Sequence, residues 1–247
     1  MGILFIDAGN TNIKWRLSDS PQIYCCSAET SELAHWLSAY RQDINAVAIS
    51  SVRTGNWDQS IRKLCKRVDL DCWFASSMSQ NLGLNVAYAN PANLGVDRWL
   101  AMLALWDKFD SGFLVVDAGT AITIDLVDNS GTHQGGYILP GLSMQRQSLL
   151  GKSAVLDNQV DKLLPPSTKL GTDTDEAIEN GILASVLALI QDLITKQSSW
   201  LNSIVLTGGD AQVLKPFINT SQVEESLVLE GLALAYSQNK QQQEKGN

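Results

Sequence analysis

Apolar residues run four deep at 3–6 and again at 113–116, and each run delivers an Asp and then a Gly into a polar turn. The two segments are Ile3-Leu4-Phe5-Ile6-Asp7-Ala8-Gly9-Asn10-Thr11 and Phe113-Leu114-Val115-Val116-Asp117-Ala118-Gly119-Thr120-Ala121. A second apolar stretch follows each turn, at 13–17 and 122–127, so the pattern predicts a strand, a turn and a returning strand used twice. Asp7 and Asp117 stand 110 positions apart (117 − 7), near the start of each half of the chain. Two related half-domains, 1–110 and 111–247, are the simplest organisation.

Between these repeats the hydrophobic spacing alternates between helix and strand. Helices are predicted at 32–40, 57–68 and 97–109, the last apolar on most faces and therefore buried. The run at 46–52 reads as a buried strand and 72–74 as a short one. An Asn-, Gly- and Pro-rich loop fills 81–94. In the second half, 135–142 predicts a strand ending in a tight turn, 143–150 a helix, and Pro165-Pro166 a loop. Thr174 is expected to cap a helix over 175–196, because Thr followed by acidic residues suits a first turn. A last strand at 203–207 feeds Gly208-Gly209, 227–236 closes the fold as a helix, and the polar tail from 238 should fray. The alternation makes the fold class α/β.

Composition narrows the function classes. With 45% hydrophobic and 18% charged residues the chain is globular, and no apolar run approaches the roughly 20 residues that cross a bilayer. It enters a core strand at once, without a basic and apolar leader, which makes the expectation a cytoplasmic protein with no membrane partner. A net charge of −8 argues against a general nucleic-acid binder. An anionic substrate must therefore meet local positive groups. Four cysteines without a CxxC pair and only two histidines make a zinc cluster or a His-dependent hydrolase improbable. The cysteines read as reduced thiols. The seven tryptophans are scattered and are assigned to packing.

Four motifs in order, Asp7-Ala8-Gly9-Asn10-Thr11-Asn12, Gly95-Val96-Asp97-Arg98-Trp99, Asp117-Ala118-Gly119-Thr120-Ala121 and Gly135-Gly136-Tyr137-Ile138-Leu139-Pro140-Gly141, resemble type III pantothenate kinase. The resemblance spans residues 3 to about 236. It implies an actin-like ATPase and sugar-kinase architecture: two duplicated ribonuclease-H-like half-domains with a nucleotide cleft between them. It also implies ATP-dependent phosphorylation of pantothenate towards coenzyme A, a monovalent cation (K⁺ or NH₄⁺) and a homodimer.

Phosphoryl transfer asks for a phosphate cradle, a base at the attacking hydroxyl, and cations. The turn from Asp7 through Ala8, Gly9, Asn10, Thr11, Asn12 and Ile13 to Lys14 offers backbone donors and one charge for the cradle, and Asp7 would orient hydrated Mg²⁺. Taken singly, this turn reads equally as a β-hairpin with Asp and Asn at its bend. Asp97 is the candidate general base, with helix capping as its alternative role. Arg98 would hold a substrate carboxylate as a fork. By resemblance, Asp117 binds the monovalent cation, Thr120 meets ATP phosphate, and Tyr88, Gly95, Val96 and Thr174 line the pantothenate site, Thr174 near the dimer interface. Asp125 reads as structural. Gly208-Gly209 would let adenine or ribose lie against the backbone. One departure is Thr172, where many relatives carry a basic residue. The rival readings are a kinase of another small acidic alcohol, a non-catalytic regulatory relative, and a phosphatase or NTPase using water in place of the alcohol.

Overall fold

The computed structural model describes residues 2–27, 30–53, 55–78, 80–150 and 165–245. They divide into two compact units, 1–110 together with 226–247, and 111–225.

The first unit is built on a five-stranded sheet of β1 (Gly2–Ala8), β2 (Asn12–Leu17), β3 (Tyr24–Ser27), β4 (Ile44–Ser51) and β5 (Asp71–Phe74), in the order β3-β2-β1-β4-β5. β2 runs antiparallel to β1 and β3, whereas β4 lies parallel to β1 and β5. Helices α1 (Thr30–Ala39) and α2 (Trp57–Arg67) supply the crossovers that parallel strands need. Leu4, Ile6 and Ala8 are wholly buried in one core cluster with Ile13, Val47 and Ile49. Phe5, on the other face, meets Tyr236 edge-on at 6.4 Å between ring centres. β1 is thus covered on both faces, which is why it reads as an unbroken apolar run rather than an alternation. Arg41 closes the α2 end by donating to the carbonyls of Val68, Asp69 and Ile44.

The loop after β5 carries the two-residue strands β6 (Gln80–Asn81) and β7 (Leu84–Asn85) and leads into α3 (Val96–Phe109), whose residues 98–106 are all buried.

The second unit repeats the arrangement with β8 (Phe113–Ala118), β9 (Ala121–Val127), β10 (His133–Pro140), β11 (Ser203–Thr207) and β12 (Ser221–Val223), in the order β10-β9-β8-β11-β12. Its strand directions are those of the first sheet, antiparallel on the β9 and β10 side and parallel on the β11 and β12 side. The duplication seen in two short motifs therefore extends to a whole sheet topology. Helices α4 (Leu142–Leu150), α5 (Thr174–Lys196) and the single turn α6 (Ala211–Leu214) complete the unit.

Four expectations are corrected. The final helix α7 (Leu227–Lys245) belongs to the first unit, and the second unit ends at Glu225. It also continues well past residue 238, because Gln, Lys and Glu are good helix formers and a polar stretch need not fray. The cap of α5 is Asp173, whose side chain accepts from the Glu176 amide at 2.9 Å, and Thr174 is its first helical residue. Finally, α5 is long and apolar enough by length and composition to cross a bilayer, with a mean hydropathy of 1.5 over its best window. In the fold Leu183, Val186, Ile190 and Leu193 of this helix belong to the core against the second sheet.

α7 lies close on α3. A Cβ at Gly231 would collide with the backbone of Leu100, so only glycine lets the helices approach this far. The four cysteines are free thiols, and burial, with Cys72 beside it, pushes Cys65 up to about 12. It stays protonated and unreactive near neutral pH.

Candidate active site

In the first unit the glycine turn sits where β1 and β4 both end. Asp7 pairs in register with Lys14, and Ala8 with Ile13. Directly opposed residues of antiparallel strands share a face, so Asp7 and Lys14 project from the same face of the hairpin at the base of the turn. Both are half-buried, and Asn10, Thr11 and Asn12 are exposed. Ala8 and Ile13 are fully buried, which leaves only their backbone to serve a ligand. Parallel pairing brings β4 alongside: the Val52 amide donates to the Ala8 carbonyl at 3.3 Å, and Arg53 Nη1 donates to the Gly9 carbonyl at 3.0 Å.

Gly95 caps α3, and the first helical turn presents Asp97 and Arg98. Asp97 is half-buried, and its Oδ1 accepts from the Arg98 amide at 2.8 Å. The Arg98 guanidinium is almost wholly buried, donates to the Tyr88 hydroxyl at 3.1 Å and lies 5.9 Å from the centre of that ring. Three of the expected substrate residues, Tyr88, Asp97 and Arg98, therefore stand together. Val96 is buried in the core, so its side chain acts in packing.

In the second unit three separate motifs converge. The Gly141 amide donates to the Thr120 carbonyl at 2.9 Å, and the Asp210 amide to the Ala118 carbonyl at 2.8 Å. Gly208 has a φ of +87°, and a Cβ there would collide with the Ala118 carbonyl and the Asp117 carboxylate. The late glycine pair is thereby tied to the Asp117 turn. Thr120 is exposed at the tip of the β8–β9 hairpin, and Asp117 is half-buried below it. A cavity of about 160 Å³ opens beside α6, with Asn180, Asp210 and the Arg146–Glu179 ion pair (2.6 Å) in its wall. Burial raises the Asp210 carboxyl above its ordinary value.

Thr174 is exposed in an open groove of about 650 Å³ that it shares with Gln145, Thr172 and Gly181. Thr172 donates through both its amide and its hydroxyl to Glu176 at 2.9 Å, so it is part of the cap of α5. Asp125 is structural: it is buried and bonded to His133 Nε2 at 3.0 Å.

No motif in the sequence marks Arg53. The available signal was a cation directly after the buried strand that pairs with β1.

The family model for type III pantothenate kinase matches residues 3–196. The type III pantothenate kinase of Marinobacter nauticus is 37% identical over 237 residues, covering 93% of this chain and 96% of that protein. That of Cellvibrio japonicus is 35% identical over 244 residues, covering 95% and 96%. Among solved structures, a Campylobacter jejuni protein described as a Baf family transcriptional activator superposes with a TM-score of 0.64 at 21% identity, covering 96% of this chain and 99% of its own. The activator of 2-hydroxyisocaproyl-CoA dehydratase from Clostridium difficile, solved with bound ADPNP, gives 0.57 at 16% identity, covering 99% and 98%. At such identities the two structures speak for a shared α/β fold alone. On the family match and the near full-length relatives, this chain belongs to the type III pantothenate kinase family.

Proposed function

We propose that this protein transfers the γ-phosphoryl group of ATP to the primary hydroxyl of pantothenate, giving 4'-phosphopantothenate, the first committed step towards coenzyme A. The observation that carries the residue assignment is the first turn of α3, where a half-buried carboxylate adjoins a buried guanidinium bonded to a tyrosine. Arg98 and Tyr88 bind the pantothenate carboxylate. Asp97 accepts the hydroxyl proton as that oxygen bonds to the γ phosphorus and the bond to the β–γ bridging oxygen breaks.

Each unit carries its own phosphate donors: the backbone and side chains of residues 9–12 with Lys14 in the first, and Thr120 in the second. Mg²⁺ travelling on nucleotide phosphates takes only one or two protein carboxylates and keeps several waters, a demand that Asp7 meets beside the glycine turn. When bound, the ion offsets negative charge on the phosphates. Asp117, next to the Gly208 backbone, offers oxygen donors suited to K⁺ or NH₄⁺. Gly208-Gly209 and the neighbouring cavity take the adenosine end. Thr174, in its own groove on the second unit, is a further candidate contact for pantothenate.

The test is ADP release by the purified protein with ATP and Mg²⁺, with and without pantothenate, in K⁺ and then in Na⁺ buffer. Turnover dependent on both pantothenate and K⁺ supports the whole reading, and turnover indifferent to pantothenate overturns it. In the same assay Arg98→Ala raises the pantothenate KM about 100-fold, as loss of a charge-assisted fork predicts, and leaves the ATP KM nearly unchanged.

We further infer a homodimer in the cytoplasm. β10 is an edge strand whose Tyr137 and Ile138 are 50% and 64% exposed, with Met144 and Leu149 also uncovered on α4. Exposed apolar edges invite pairing with a second copy. Ile138→Glu should lower the mass seen by light scattering from dimer to monomer, and an unchanged mass would place the interface elsewhere.

A further inference from the structure

We propose that Arg53 is a positioning residue for ATP, holding the phosphate turn in its binding shape; this rests on the kinase reading given above. Arg53 follows β4, which runs parallel to β1 and ends beside it, so topology delivers the side chain to the turn from 44 residues away. Its Nη1 donates to the Gly9 carbonyl at 3.0 Å.

That bond has a directional consequence. In a turn that cradles anions, amide N–H groups must face the ligand and the carbonyls must point away from it. A carbonyl pulled outward by a guanidinium fixes the peptide plane that joins Gly9 to Asn10. The amide of Asn10 then faces the opposite side, where the phosphates of the nucleotide would lie. Without a partner the flexible Gly9 peptide can rotate and aim its oxygen at the phosphate.

Arg53 is itself held in place. Its backbone amide donates to Ser51 Oγ at 3.4 Å, and Ser51 Oγ donates to Asp58 Oδ1 at 2.7 Å on the first turn of α2. The guanidinium carbon lies 5.7 Å from the Trp57 ring centre, in cation–π range. Among the described residues its buried Nε has no hydrogen-bond partner, and its Nη1 is the atom that reaches the turn. The anchored guanidinium also adds a positive charge next to the glycine turn in a protein of net charge −8.

The experiment measures KM for ATP and for pantothenate separately in Arg53→Ala and Arg53→Lys, with thermal midpoints alongside. Arg53→Ala is expected to raise the ATP KM about 10-fold and leave the pantothenate KM within about 2-fold, because only the phosphate turn is disturbed. Arg53→Lys keeps the charge but loses the planar fork, and should fall between wild type and Ala. An ATP KM at the wild-type value in Lys and Ala overturns the proposal. So does a parallel rise of both KM values with a lowered midpoint, which marks a merely structural role. Should Arg53→Ala not fold, a wild-type ATP KM in Arg53→Lys overturns it alone. Failure of the kinase reading is distinguishable, since it appears in the unmutated protein as turnover without pantothenate dependence.

Discussion

Asp97→Asn should lower pantothenate-dependent kcat by about 100- to 10,000-fold, the contribution of a positioned general base, with the thermal midpoint close to that of the unmutated protein. The reasoning separates the two tasks that a carboxylate has at this place. As a structural group, Asp97 accepts the Arg98 amide at 2.8 Å through Oδ1 on the first turn of α3. Asn keeps an oxygen at that position and the same shape, so the helix start survives. As a chemical group, Asp97 must take a proton while the substrate oxygen attacks phosphorus, and a neutral amide cannot. Both KM values should change little, because neither the Arg98–Tyr88 pair nor the glycine turn is touched. The assay is pantothenate-dependent ADP release at saturating ATP, with a thermal melt as the folding control. Near-normal kcat in a folded variant would remove Asp97 from the base role and leave it a helix cap.

The sequence made the scaffold of this site readable and left its assembly hidden. The two hairpins were legible because an apolar run, an Asp and a Gly turn recur in order, and because strands covered on both faces lose the usual alternation. β3 and β12 were not legible. Tyr24–Ser27 is four residues with two cysteines, and Ser221–Val223 is three, too short for any period to emerge. The cap of α5 was misplaced by one residue because Asp173 and Thr174 are both competent caps, and only the Asp173 bond to Glu176 decides between them. The home of α7 was hidden for another reason. Which sheet a terminal helix covers depends on side-chain fit, here Tyr236 against Phe5 and Trp73 and the closeness permitted by Gly231, and not on chain order.

The same distinction governs the candidate site. Asp97 and Arg98 adjoin in sequence and were picked out together. Their link to Tyr88 depends on how a loop of Asn, Gly and Pro folds back, which periodicity does not encode. Arg53 was missed because parallel pairing of β1 with β4 joins it to Gly9, and pairing of distant strands leaves no local trace. In the second unit Asp117, Gly141 and Gly208 were noted as separate motifs. Backbone hydrogen bonds at 2.8 and 2.9 Å and one positive φ make them a single cluster.

That cluster depends on a pair that lies outside the chemistry. Asp125 and His133 are each about 1% exposed and joined at 3.0 Å, linking β9 to β10 where the strand register shifts between His133 and Gly135. β10 then runs to Pro140 and presents Gly141 to the Thr120 carbonyl. Asp125→Ala leaves the buried imidazole without its carboxylate, a loss of about 1–3 kcal/mol by the usual cost of taking the partner from a buried polar group. In a chain of this size that lowers the thermal midpoint by roughly 5 °C. The double variant Asp125→Leu with His133→Phe removes both polar groups and refills the volume, so it should recover much of the loss. Recovery in the double variant would show that the pair fixes strand geometry while an apolar pair suffices for stability. A single variant as stable as the unmutated protein would mean that the Asp125–His133 contact contributes nothing. Activity supplies the second readout: if β10 is what holds Gly141 on the Thr120 turn, Asp125→Ala raises the ATP KM even at temperatures where the protein remains folded.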